Sequence, residues 1–135
     1  MALTMEWDEK YAVGHERIDF EHRIFPGLIR EVSDADEQTD KDMGLRLPLE
    51  VKKYAEFHFV SEENIMQKIA YPDFAEHENE HRILLARLDD KLHAYRSDKI
   101  GLHDVSDFLF EWFALHTTQT DKKIVSYLAT ANLPH

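Results

Sequence analysis

The sequence predicts an all-α chain folded as an up-down-up-down antiparallel four-helix bundle behind an irregular N-terminal arm. Three observations carry this expectation. Only four Gly and four Pro punctuate 135 residues, and no run alternates apolar and polar residues for long enough to make a sheet. Four long stretches instead repeat apolar residues at helical spacing, and the connectors between them are mostly short, which is the pattern of antiparallel neighbours in a bundle.

The arm runs to about Gly14. A first helix is expected from Glu16 to Ala35, where Ile18, His22, Phe25, Leu28, Ile29 and Val32 fall on one stripe. Pro26 lies inside it. It removes one backbone hydrogen bond and crowds the turn before it, so a kink is expected just after His22. Beyond the polar connector Asp34 to Asp42, a second helix from about Met43 to Ala70 aligns Leu47, Val51, Tyr54, His58, Ile65 and Ile69, with Pro48 in or near its first turn. Tyr71-Pro72-Asp73 breaks the chain. Asp73 followed by Glu76 matches a capping box for a third helix that runs to about Tyr95. Ser97 to Gly101 forms a turn, and Leu102 to Thr130, rich in Phe, Trp, Leu and Ile, makes the fourth helix.

Composition narrows the function. At 135 residues, residues 1–135 fit one domain of the usual size, roughly 100 to 200 residues. A hydrophobic fraction of 43%, with eight Phe, five Tyr and two Trp, supplies a core without staples. The absence of cysteine removes disulfides, thiolate metal sites and thiol nucleophiles together, and fits a reducing compartment. The opening residues carry no basic region followed by an apolar run, and no stretch approaches the roughly 18 apolar residues of a membrane span. A cytoplasmic protein without membrane insertion is expected. A formal net charge of −11 opposes contact with nucleic acid or anionic lipid, where Lys and Arg must displace counterions. Nine histidines in such a chain are more than a core or a surface needs.

Five of them fall into a pattern. Positions four apart on a helix lie about 40° apart on one face, so His58 and Glu62 on the second helix, and His77 and His81 on the third, each aim two ligand-type groups the same way. His22 on the first helix and His116 on the fourth add one each. Asp121 follows His116 by five residues, about 140° away on an ideal helix. A π-type widening near Thr117 to Thr120 aligns positions five apart, and is expected there. Taken singly, each group has a bland reading: a solvated His pair, a surface Glu, an Asp paired to Lys122 or Lys123. Yet the set interrupts apolar stripes, as in Phe57-His58-Phe59 and in Trp112 to His116. Burying so many ionisable groups unpaired costs several kcal/mol each, and a metal centre removes that cost. Seven candidates exceed the six positions of one octahedral ion, while two bridged ions use them all. Imidazole and carboxylate without thiolate suit iron, with manganese or zinc as weaker options. Two divalent ions set against two carboxylates and one hydroxide give a nearly neutral centre. Carboxylate-rich two-iron oxygenases and ferritins need paired Glu-x-x-His motifs; only Glu78-Asn79-Glu80-His81 has that form in this chain.

In order and spacing, these residues resemble the hemerythrin family, in its single-domain bacterial form, along nearly the whole chain. The similarity is carried by Trp7-Asp8, Val13-Gly14 and Ile18 to Phe25, then by His58-Phe59-Val60-Ser61-Glu62-Glu63 with Met66. It continues in Tyr71-Pro72, His77 with His81, Trp112 with His116, and Thr120-Asp121-Lys122-Lys123. The resemblance implies reversible dioxygen binding at two iron ions, bridged by Glu62, Asp121 and an oxo or hydroxo group. It implies His77, His81 and His116 on one iron, and His22 with His58 on the other, where an open position faces an apolar dioxygen pocket of Phe25, Phe59, Trp112, Phe113 and Thr117. Phe113 stands where the family usually has Leu, and Thr117 where it has an aliphatic residue, so a hydroxyl is expected at that pocket. Carriage, storage or sensing of dioxygen all fit, and leave room for a protein recipient. The chain is expected not to be an enzyme; the alternative is a di-iron redox enzyme acting on peroxide or nitric oxide. A signalling domain ranks below carriage, because the pattern runs from Trp7 to about Tyr127 and a signal would have to pass to a separate protein. His15, His93, His103 and His135 fall outside the pattern and are expected at the surface, although the arm carrying His15 could pack near the centre.

Overall fold

The structure is a computed structural model that describes residues 6–35 and 40–131. Among these the chain is helical: a 3-10 turn at Glu9–Tyr11, then α1 (Glu16–His22), α2 (Phe25–Asp34), α3 (Lys41–Lys68), α4 (Phe74–Arg96) and α5 (Leu102–Leu115). A π-helical segment, His116–Asp121, joins α5 to α6 (Lys122–Ala131). The pair α1–α2 forms one arm of an antiparallel four-helix bundle and α5 to α6 another. Neighbours around the barrel are α2 with α3, α3 with α4, α4 with α5, and α5 with α2.

The expected kink after His22 is present as a two-residue interruption in which the backbone stays in the right-handed helical region. Arg23 and Ile24 lie between α1 and α2, and Pro26 sits at the start of α2, where a missing N–H costs least. The second helix begins two residues earlier than the periodicity suggests. The cause is tertiary: the Lys41 ammonium donates to the Tyr95 carbonyl at 3.1 Å and to Asp98 at 2.6 Å, pinning the helix start to the end of α4. Pro48 is therefore not in the first turn but inside α3, where it leaves the Gly44 carbonyl without its helical donor. Gly44 is itself required, since a Cβ there would collide with the Tyr95 hydroxyl.

Asp73 occupies the N-cap of α4, but the expected capping box does not form. Its side chain makes no cap hydrogen bond, because its backbone (φ −98°, ψ 24°) is not in the extended conformation from which a cap side chain reaches the first turn. His93 and His103 are exposed as expected, and His135 lies outside the described residues. His15 is not at the surface. It is 5% exposed and caps α1, its Nδ1 accepting from the Ile18 N–H at 3.3 Å. The arm folds back because the Asp19 carboxylate accepts the N–H groups of Val13 (2.7 Å) and Gly14 (3.1 Å), with Gly14 in the left-handed region that glycine tolerates.

Two apolar clusters fill the bundle. The larger contains Phe25, Val51, Ala55, Phe59, Leu109 and Phe113; the smaller contains Ile18, Met66, Ile124 and Leu128. Along each arm the polar candidates fall between the two. His58 and Glu62 separate Ala55 from Met66 on α3, and His116 and Asp121 separate Phe113 from Ile124.

Candidate metal centre

All seven predicted ligand residues, His22, His58, Glu62, His77, His81, His116 and Asp121, converge at this level and are buried. Their ligand atoms form two overlapping sets, each within 4.8 Å: Glu62, His77, His81, His116 and Asp121 in one, and His22, His58, Glu62 and Asp121 in the other. Only Glu62 and Asp121 belong to both. The widened turn expected between His116 and Asp121 is present as the π segment, and brings His116 Nε2 to 3.0 Å from Asp121 Oδ1. The Thr117 and Thr118 hydroxyls donate to the carbonyls of Phe113 (2.7 Å) and Ala114 (2.6 Å) on entry to that segment.

The donor set fits a cation. Outer nitrogens of three imidazoles are occupied by carboxylates: His58 Nδ1 donates to Glu21 at 2.7 Å, His81 Nδ1 to Glu63 at 2.8 Å, and His116 Nδ1 to Glu80 at 3.3 Å. In the neutral ring this arrangement leaves Nε2, which faces the interior, as the nitrogen free to bind a cation. There His22 Nε2 meets His58 Nε2 at 3.0 Å, and His81 Nε2 meets His116 Nε2 at 3.2 Å. Glu62 Oε2 and both Asp121 oxygens are buried without a hydrogen-bond partner, although imidazole nitrogens stand 3.0 to 3.2 Å away. Opposed nitrogens and orphaned carboxylate oxygens form a poor hydrogen-bond network. They are a suitable ligand shell.

Without a cation the cluster compensates by holding protons. Burial acts to lower the His58 pKa, but its hydrogen bond to Glu21 and the close Glu62 carboxylate outweigh it and hold the ring at about 9. His77 follows the same balance against Asp121 and Glu62, also at about 9, and His116, opposed by burial, is held at about 10 chiefly by the Asp121 charge. Burial pushes Glu62 and Asp121 upward; the surrounding imidazoles prevail and keep both well below the usual carboxylate range.

Phe25, Phe59, Trp112, Phe113 and Thr117 are all buried beside the cluster. Phe25 and Phe113 abut the His22 and His58 side, with centroids 5.6 Å (Phe25 to His58) and 5.9 Å (Phe113 to His22) apart. Phe59 stacks on His81 at 3.9 Å, and Trp112 on His116 at 6.0 Å. Sequence reasoning missed Glu21, Glu63 and Glu80. A signal existed: each is adjacent in sequence to a ligand candidate, and a carboxylate beside an inward-facing residue can reach an imidazole on the neighbouring helix.

A family model described as the hemerythrin HHE cation binding domain matches residues 13–128. The chain belongs to the hemerythrin family. Among curated relatives it is 28% identical to a bacteriohemerythrin of Clostridium acetobutylicum over 126 residues, spanning 88% of this chain and 97% of that one. It is 30% identical to a bacteriohemerythrin of Ralstonia nicotianae over 128 residues, 93% and 90% of the two chains. Crystal structures of hemerythrin superpose closely: a single-residue variant at TM-score 0.80 and 26% identity, covering 91% and 95%, and a wild type at 0.80 and 24%, covering 90% and 95%.

Proposed function

We propose that this member of the family holds two iron ions and binds dioxygen reversibly, for carriage, storage or sensing, as a single cytoplasmic domain. The observation that carries this reading is the pair of ligand sets sharing only Glu62 and Asp121. In this reading the two carboxylates common to both sets would serve both ions, with His77, His81 and His116 completing one side and His22 with His58 the other. The side with two imidazoles is the poorer in protein ligands, so a bound ion there would keep a position free for dioxygen. When bound, such a pair supplies redox-active coordination for dioxygen.

The chain's own contribution is orientation and exclusion of water. Glu21, Glu63 and Glu80 hold three imidazoles with Nε2 inward. Phe25 and Phe113, each 1% exposed, close the two-histidine side, and with Phe59, Trp112 and Thr117 make up the pocket. Thr117 bears on the alternative of a redox enzyme for peroxide or nitric oxide. Its hydroxyl donates to the Phe113 carbonyl, which argues for binding over turnover. No described helix is long and apolar enough to cross a membrane.

The test is metal content with visible absorption of the protein reduced without air, exposed to air, and then stripped of dioxygen. Two irons per chain and a charge-transfer band that forms with dioxygen and vanishes on its removal are expected. Iron without a reversible band, with steady consumption of peroxide or nitric oxide, would put the enzyme reading first.

A further inference from the structure

The three outer carboxylates are not equivalent. Glu80, the partner of His116, has a side chain 44% exposed, and Glu63, the partner of His81, is 22% exposed. Glu21, the partner of His58, is 3% exposed. Its Oε1 takes the His58 Nδ1–H at 2.7 Å; its Oε2 takes the Ser61 hydroxyl at 2.8 Å and the guanidinium of Arg17. Its backbone carbonyl accepts the Tyr54 hydroxyl at 2.6 Å, tying α1 to α3 at the same residue. By contrast His22, the other imidazole on this side, has a buried Nδ1 with no hydrogen-bond partner. One side of the centre therefore depends on a single fixed imidazole, and that imidazole on a single buried anion.

We propose that Glu21 is the positioning residue of the two-histidine side: it fixes His58 in the tautomer that presents Nε2 inward and strengthens that nitrogen as a donor, so this side's metal affinity is set from α1. The proposal rests on the metal-centre reading above. Its physical basis is that a carboxylate accepting the distal N–H of a ligating imidazole locks the ring and raises its basicity, and that loss of such a partner typically weakens metal binding about 10–100-fold. Burial makes the effect larger at Glu21 than at the wetter Glu63 and Glu80, because water can replace an exposed acceptor and cannot replace a buried one. Ser61 and Arg17 in turn fix the carboxylate, so the control of His58 extends to the protein surface, where Arg17 has a side chain 57% exposed.

Glu21→Gln keeps the size of the side chain and an acceptor oxygen while removing the charge. Metal-free wild type and variant are titrated with Zn2+ by calorimetry under chelator competition, with Glu63→Gln as the companion from the other side. Wild type is expected to take two equivalents. In Glu21→Gln one of the two weakens about 10–100-fold and the other is unchanged. In the zinc-loaded proteins the His58 Nδ1–H proton, far downfield when shared with a carboxylate, moves upfield in Glu21→Gln and stays in place in Glu63→Gln. Should Glu21→Gln not fold, Ser61→Ala and Arg17→Met loosen the carboxylate from outside and must weaken the same equivalent. Unchanged affinities, or equal loss at both equivalents with the His58 proton unmoved, overturn the role of Glu21. A wild type that takes fewer than two equivalents overturns the two-metal reading itself, which is a separate outcome.

Discussion

His116 and Asp121 are five residues apart in sequence, yet their Nε2 and Oδ1 atoms stand 3.0 Å from each other, because the chain between them winds as a π helix. An α-helix would set them about 140° apart. The widened turn is what makes Asp121 the counterpart of Glu62 on the opposite arm, so that the two carboxylates serve both ligand sets.

Replacing either carboxylate by Ala should therefore lower metal content from two ions to at most one per chain. A ligand specific to one side would leave the other ion with all its donors; losing a shared one takes a donor from both. Elemental analysis of the purified variants checks this, and two ions retained in either variant would refute the bridging role. The metal-free variants should also lose about 3–5 kcal/mol of stability, since buried imidazolium groups are left without their counter-charge.

The proton inventory of the cluster fixes the sign of a pH effect. His58 and His77 at about 9 and His116 at about 10 lie above the unfolded value of about 6.5. Their contribution to the metal-free fold is full below about pH 6.5 and is lost as pH rises through 9 to 10. Glu62 and Asp121 are depressed, so their contribution is present above about pH 4 and lost in acid. Metal must displace the imidazole protons, and its stabilisation grows with pH. The gap in Tm between zinc-loaded and metal-free protein should widen steadily from pH 6 to pH 8.5. A constant or narrowing gap in thermal unfolding would contradict these charge states.

Much of this was legible in the sequence, for physical reasons that also explain what was not. The four arms, the kink after His22 and the π turn follow from periodicity, proline chemistry and the five-residue gap, which are local. The start of α3 and the burial of His15 depend on Lys41 reaching Tyr95 and on Asp19 capturing the arm, contacts between residues whose pairing no local pattern encodes. The Asp73 capping box had the right residue types, but the conformation of one residue decides whether the side chain reaches. Glu21, Glu63 and Glu80 look like ordinary solvated acids until the helices are placed side by side.

Thr117 tests whether a hydroxyl at the pocket matters to the ligand. Its Oγ1 donates to the Phe113 carbonyl at 2.7 Å, four residues back along the helix, as Thr hydroxyls do within helices. Thr117→Val keeps the shape and should cost about 0.5–1.5 kcal/mol in thermal unfolding, with the lifetime of the oxygenated form unchanged within about twofold, by analogy with a group that makes no contact with the ligand. A lifetime altered tenfold or more would mean that the hydroxyl turns from the carbonyl to the ligand.

Phe113 offers the opposite case. It is 1% exposed, packs at 5.9 Å from His22 and 5.5 Å from Phe25, and meets Tyr11 of the N-terminal arm at 5.2 Å. Phe113→Ala removes a wall shared by the core and the two-histidine side, so both should respond. Stability should fall by about 3–5 kcal/mol, the usual loss for a buried Phe, and water admitted beside His22 should shorten the lifetime of the oxygenated form at least tenfold. Phe113→Leu refills most of the space and should recover the larger part of both. Unfolding midpoints and the decay of the visible band in air, measured on the same samples, separate the two effects: a stability loss with an unchanged decay would leave Phe113 as core alone, with Phe25 as the barrier to water.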